Sequence, residues 1–283
     1  MQGEKMRKTR YAAAAMAAAA ALTLSACGGD SGSDSAASGD GENIRIGIKF
    51  DQPGLGFAES GDYSGFDVDV AKYVANELGY SEDQIEFIET PSAQRENMLE
   101  NDQVDMIFAT YSITDTRKEK VSFAGPYFVA GQDLLVRSDS DITGPEDLNG
   151  KTLCSVTGST SAQKVKDGIA NDVNLVEQPS YAECVTAMQG GSIDAVTTDD
   201  IILAGLASTD ANKGQFKVVG NTFSEEKYGV GIQKGSDKCE DINAAIEKMI
   251  EDGAWEEAIK KNTEGADYTF NAELNPPTMD ACA

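Results

Sequence analysis

The chain has no histidine. It therefore lacks the side chain that titrates nearest neutral pH and that most often serves as a general base. Cysteine is scarce, five in 283 residues, and no two stand in a CxxC spacing, so zinc-site spacing is absent. Positive charge is short as well: 23 Lys and Arg stand against 48 Asp and Glu. No basic stripe is present, and the acidic surface repels polyanions, so nucleic-acid binding is excluded. There is a single tryptophan and there are seven prolines. The apolar run near the start, Tyr11 to Ala21, is too short and too rich in alanine to span a bilayer well.

What is present at the start is an export signal. Lys5, Arg7, Lys8 and Arg10 form a basic region ahead of that apolar run. Leu24-Ser25-Ala26-Cys27 follows, a large apolar residue and two small ones before a cysteine, which resembles a bacterial lipobox. The resemblance implies cleavage after residue 26 and a diacylglycerol on Cys27. Two acyl chains give stable anchoring where one is marginal. Residues 27–42 are mostly Gly, Ser, Asp and Ala without apolar periodicity and read as a flexible tether. Without Glu4 and the four basic leader residues, 19 basic residues face 47 acidic ones, a net −28.

Four cysteines remain after Cys27, an even number in an exported chain, which favours bridges over free thiols. Cys154 and Cys184 share one compositional block, and Cys239 and Cys282 both lie near the end. Of the three possible pairings, Cys154–Cys184 with Cys239–Cys282 is expected.

From residue 44 the pattern alternates. Ile44 to Phe50 reads as a strand, and 51–57 as a turn-rich loop at its C-terminal end, where open α/β sheets bind ligands. Lys49 would sit at the mouth of that crevice. Residues 67–78 read as a helix with Asp67 as N-cap, Asp69 in the first turn, and Val70, Tyr73, Val74 and Leu78 on one face. A strand over 85–88, a short helix over 91–99 carrying Arg95, and a strand over 104–108 complete β-α-β-α-β, which predicts a parallel sheet with helices on its faces. Residues 121–137 read as a long extended connection. A second series then begins: strand 151–156, helix from Thr157, helix 180–188, strand 193–198, strands 216–219 and 228–232, and helices from Asp241 and Gly253. Trp255 reads as core.

Hydroxyls recur at Thr110, Ser112, Thr114 and Thr116, and Arg117 closes the segment. Hydroxyls with a planar five-donor fork suit a small carboxylate, yet the segment alone reads more readily as a capped loop that starts a helix.

Four stretches carry a resemblance. They are Gly65-Phe66-Asp67-Val68-Asp69-Val70 with Val74 and Ala75, Ser112 to Arg117 followed by Phe123-Ala124-Gly125-Pro126-Tyr127, Thr157-Gly158-Ser159-Thr160, and Asp194-Ala195 with Asp199. In this order, between about Ile44 and Ile259, they resemble the amino-acid-binding proteins of ABC importers, the bacterial extracellular solute-binding proteins of family 3. The runs Lys49 to Leu55, Pro91 to Arg95 and Thr197-Thr198-Asp199 narrow the resemblance to glutamate-binding lipoproteins of Gram-positive uptake systems.

The resemblance implies an α/β, periplasmic-binding-protein-like fold of type II: two α/β lobes joined by two extended hinge crossovers that close on a ligand. The expected division is 43–135 with 224–283 for lobe 1 and 136–223 for lobe 2. It implies no catalysis and no cofactor. Arg117 would pair with the α-carboxylate of the ligand, helped by N–H groups near Ser112 and Thr160. Asp199, with Asp200 as its rival, would accept from the α-ammonium together with Thr110 and Ser112. The γ-carboxylate of glutamate would take Arg95, or else Lys49, with Thr157 or Thr160 as hydroxyl donors. The aromatic platform usual near Gln52 is not evident, and Phe50, Phe57 or Tyr111 could cover the aliphatic stem. The implied partners are an acidic amino acid and the permease subunits of an ABC importer, at the outer face of a Gram-positive cell membrane. The alternative is an exported enzyme on the same fold, resembling cyclohexadienyl dehydratases, with Glu225 or Glu226 as an acid.

Overall fold

A computed structural model of the protein describes residues 43–169 and 172–282. The expected leader (1–26), the lipid-bearing cysteine expected at Cys27 and the expected tether (27–42) lie outside the described residues. In chain order the elements are β1 (Ile44–Ile48), β2 (Phe57–Glu59), β3 (Asp62–Ser64), α1 (Phe66–Glu77), β4 (Ile85–Glu89), α2 (Arg95–Glu100), β5 (Met106–Phe108), α3 (Asp115–Lys118) and β6 (Val121–Ala130). Then follow β7 (Gln132–Arg137), β8 (Thr152–Val156), α4 (Thr160–Lys164), β9 (Asn174–Gln178), α5 (Tyr181–Gln189), β10 (Ala195–Asp199), α6 (Asp200–Ser208), β11 (Phe216–Val218), β12 (Glu226–Gln233), α7 (Cys239–Glu251) and α8 (Ala254–Thr263).

Two five-stranded sheets result, ordered β4-β1-β5-β12-β6 and β11-β7-β10-β8-β9. The expectation of a parallel sheet holds for part of each. β1 pairs parallel with β4 and β5, and β8 with β9 and β10. Antiparallel partners complete both sheets: β12 beside β5 and β6, and β7 beside β10 and β11. The reason is the crossing chain. A strand that leaves one sheet and enters the next has no βαβ connection to make it parallel.

The stretch 121–137 is two strands, not one connection. The chain changes sheets at Gly131, so residues 132–135, expected in lobe 1, pair in the second sheet. It returns between β11 and β12. The strand beginning at Phe216, within the expected second lobe, pairs in the second sheet. The two crossovers touch: Phe223 N–H donates to Gln132 O at 3.0 Å, and Gln132 N–H to Ser224 Oγ at 3.2 Å. A Cβ on Gly131 would lie 2.7 Å from Thr222 Cβ, so this contact requires glycine.

One buried apolar cluster runs through both lobes, a smaller one lies in each, and each lobe has its own staple. In the first lobe, Trp255 is buried edge-on to Phe66 at 5.7 Å, and its Nε1–H donates to Tyr127 O at 2.8 Å. Disulfides join Cys154 to Cys184 in the second lobe and Cys239 to Cys282 in the first. Asp67 does not cap α1. The N-cap is Gly65 at φ 121°, and Asp67 lies inside the first turn. Its buried carboxylate instead accepts from Thr110 N–H at 2.9 Å and from Tyr127 Oη–H at 2.9 Å. Among the described residues no helix is long and apolar enough to cross a membrane.

Candidate functional site

The C-terminal ends of β1 and β5 face those of β8 and β10 across a narrow cleft. Its lining is Gln52, Ser92, Arg95, Thr110 and Ser112 from the first lobe, with Ser159, Thr160, Ser161, Tyr181, Thr198, Asp199 and Ile202 from the second. The chamber measures about 10 Å³. That is about one water molecule, so an amino acid enters with the lobes apart.

Side chains bridge the cleft directly. Arg117 Nη2–H donates to Gly158 O at 3.1 Å, and the Ser112 and Thr160 hydroxyls lie 3.3 Å apart. Tyr181 N–H donates to Asp51 Oδ2 at 3.2 Å, Tyr228 Oη–H to Asp199 Oδ2 at 2.7 Å, and Lys164 pairs with Glu226. Backbones also meet closely. Gly158, at φ 80°, would place a Cβ 2.7 Å from Ala93 Cα.

The first-lobe wall is cationic. Arg95 opens α2 and is buried; its Nη1–H donates to Ala109 O at 2.9 Å, while its Nε–H has no partner. Arg117 sits in the short α3, which Thr114 caps by accepting Arg117 N–H. Its Nη1–H donates to Ser112 O at 2.7 Å, and its Nε pairs with Glu96 Oε1 at 3.2 Å. Guanidinium carries five N–H groups, so two remain after the contacts to Ser112, Gly158 and Glu96. Burial, and then the charge of Arg95, push Arg117 down to about 10, still cationic at neutral pH. Thr110 stands at φ 46°, held there by Asp67, and its hydroxyl meets Ala109 O and Gln52 Oε1.

The second-lobe wall is hydroxylic with one carboxylate. Ser159 caps α4 by accepting Ala162 N–H at 3.0 Å. Asp199 ends β10 fully within the fold. Tyr228 occupies its Oδ2, and its Oδ1 has no partner. Burial, with Glu226 adding to it, pushes Asp199 up to about 8. Its rival Asp200 faces away: Oδ1 accepts from Gly131 and Ile201 N–H groups at the hinge.

The remaining sequence candidates fall outside the chamber. Lys49 is buried and pairs with Asp51 at 3.5 Å, lining a neighbouring cavity of about 240 Å³ with Glu89, Pro91 and Pro179. Burial lowers its pKa, against the pull of Asp51. Thr157 is exposed, because the turn at Gly158 directs the chain inward only from Ser159. Phe50, Phe57 and Tyr111 do not line the chamber; its larger apolar surfaces are Tyr181 and Ile202. Gln52, Tyr181, Ile202 and Tyr228 were not singled out from sequence. Tyr228 carries no local signal, since its role is a bond to the other lobe. A separate cavity of about 490 Å³ lies between α6, β11 and the segment after α8, where Asp133 and Asp200 are already engaged by backbone N–H groups. Among the described residues no group of three or more His, Cys, Asp or Glu is placed to hold a metal ion.

Residues 44–264 match the bacterial extracellular solute-binding proteins, family 3. The chain belongs to that family. It is 48% identical over 276 residues to glutamate-binding protein GluB of Corynebacterium efficiens, covering 93% of each chain. It is 38% identical over 268 residues to the ABC transporter glutamine-binding protein GlnH of Bacillus subtilis, covering 90% of this chain and 97% of that one. Among solved structures it resembles an ancestral arginine-binding protein bound to glutamine, with a TM-score of 0.71, 34% identity and coverage of 77% of this chain and 96% of that one. The fold is that of the type II periplasmic binding proteins, two sheet-and-helix lobes about a cleft. These relatives are named for binding and not for a reaction, so the solute-binding protein, not the dehydratase-like enzyme, is the correct alternative.

Proposed function

We propose that the protein captures L-glutamate in this cleft and delivers it to the permease of an ABC importer. The observation that carries the reading is one of charge. The buried guanidinium of Arg95 lines the chamber on the first-lobe side, that of Arg117 lies beside the chamber without lining it and bonds Gly158 O across the cleft, and the buried Asp199 Oδ1, without a partner, stands on the second-lobe side. Glutamate carries two carboxylates and one ammonium, so these groups match it one to one. A buried ammonium needs an acceptor, because desolvation without one is costly. Arg117, with two N–H groups to spare, takes the α-carboxylate beside Ser112 and Thr160. Asp199 takes the α-ammonium with Thr110. Arg95 takes the γ-carboxylate, and Tyr181 and Ile202 cover the stem. The name of GluB supports this ligand.

Cys27 carries the lipid that holds the protein at the outer face of the membrane, with residues 27–42 as tether. Calorimetric titration with glutamate, aspartate and glutamine tests the ligand: glutamate is expected to bind tightest, and tighter binding of glutamine would overturn the assignment of Arg95. Export of a Cys27→Ser variant tests the anchor, which predicts release into the medium; retention on membranes would refute it.

A further inference from the structure

We propose that Tyr111 is the positioning residue that sets side-chain specificity, by holding Arg95 and Arg117 as a fixed pair of cations that selects a dicarboxylate. The inference rests on the reading of the cleft as a glutamate site. Tyr111 is fully buried and lines no part of the chamber. Its ring lies 4.3 Å from Arg95 Cζ and 4.9 Å from Arg117 Cζ. A π-face attracts guanidinium, and more strongly when both are shielded from water.

The ring itself is immobilised on several sides. Phe123 meets it edge-on at 4.8 Å. Gly231 of β12 lies so close that a Cβ there would be 2.6 Å from Tyr111 Cε1. The hydroxyl donates to Glu96 Oε1 at 2.8 Å, the same oxygen that pairs with Arg117 Nε. Ring, tip and both cations therefore form one block, built within the first lobe.

The charge of this block is what matters. Arg95 makes no ion pair among the described residues, and its hydrogen bond goes to a carbonyl. Glu96 therefore pairs with Arg117 alone, and the charge of Arg95 beside it is left unbalanced. The like charges repel, and the ring holds them together through its quadrupole without adding a negative charge that would cancel them. The surplus positive charge matches the extra anion that glutamate has and glutamine lacks. A flexible apolar residue could fill the same volume but would present no π-face.

The test is calorimetry on the full chain with L-glutamate and L-glutamine, for the wild type, Tyr111→Phe and Tyr111→Met. Tyr111→Phe keeps the ring and is expected to stay within about threefold of wild type for both ligands. Tyr111→Met is expected to weaken glutamate by about thirtyfold and glutamine by less than about fivefold, so that the ratio between them falls. A merely structural role would lower both alike, and equal losses in Tyr111→Met would overturn the proposal. Should the Met variant fail to fold, the Phe variant still decides: a selective loss of glutamate there shows that the ring face does not position the cations. A wild type that prefers glutamine would instead overturn the ligand reading, and that outcome is read without any variant.

Discussion

The two walls of the cleft are built on different principles. The first-lobe wall is held mainly from its own lobe: Arg95 rests on Ala109 O, Arg117 on Ser112 O and Glu96, and both on the ring of Tyr111, while Arg117 Nη2–H also reaches across to Gly158 O. The second-lobe wall is not. The engaged oxygen of Asp199 is held by Tyr228, which belongs to a strand of the first sheet, so that bond joins the two lobes. The anion-binding side is therefore held chiefly by its own lobe, and the ammonium-binding side by a contact from the other. Binding to the open form through carboxylates, followed by closure over the ammonium, is the order this asymmetry favours.

The largest expected effect comes from removing the second wall's charge. Asp199→Ala leaves a buried ammonium without its acceptor and should weaken glutamate by about 2–5 kcal/mol, measured by calorimetry; a loss under tenfold would mean that Asp199 does not face the ligand. On the first wall, Arg95→Ala should cost glutamate about 1.5–3 kcal/mol and glutamine much less.

Next comes proton linkage. The free protein holds a proton on Asp199 below about 8, where burial places it, with Glu226 as a further cause. Pairing with an ammonium ionises it, so binding releases a proton and affinity should rise with pH between about 5 and 8, by at most about tenfold per unit. Titrations in buffers of unequal ionisation enthalpy read this directly, and proton uptake would contradict it. Stability of the free protein runs the other way. Asp199 near 8 and Asp67 and Asp200 near 6 all lie above their ordinary 3.8. The folded state then binds more protons than the unfolded one. This contribution is fully present below about 4 and is lost as pH rises toward 8, so the melting temperature of the free protein should fall over that range.

The smallest effect tests the bond between the walls. Tyr228→Phe removes the donor to Asp199 and should weaken glutamate by about 0.5–1.5 kcal/mol, chiefly through faster release. No change in dissociation rate would mean that closure does not depend on this bond.

Much of this was legible in residue patterns, and the failures have particular causes. Helix α1 was evident from Val70, Val74 and their neighbours, because one face of it meets the core. Helix α6 was missed. Ile201 to Leu206 is apolar or small throughout and buried on nearly every side, so it shows no helical periodicity. Asp67 looked like a cap because an acid before an apolar run usually is one, but burial gave its carboxylate two distant partners, Thr110 after β5 and Tyr127 in β6. Thr157 and Thr160 looked equivalent until the turn at Gly158 placed one outside and one inside.

By itself, the sequence determined most of the alternation of strands and helices, that the cysteines would bridge and the residue types available to hold a zwitterion, because periodicity, an even cysteine count and side-chain chemistry are local or compositional properties. Which of those residues share one chamber was decided by the tertiary structure alone. Arg95, Tyr111 and Arg117 come together through packing of α2, α3 and β12, and Asp199 is separated from Asp200 by the direction in which a single peptide turns. Such choices depend on contacts between residues far apart in the chain, and no local pattern encodes them.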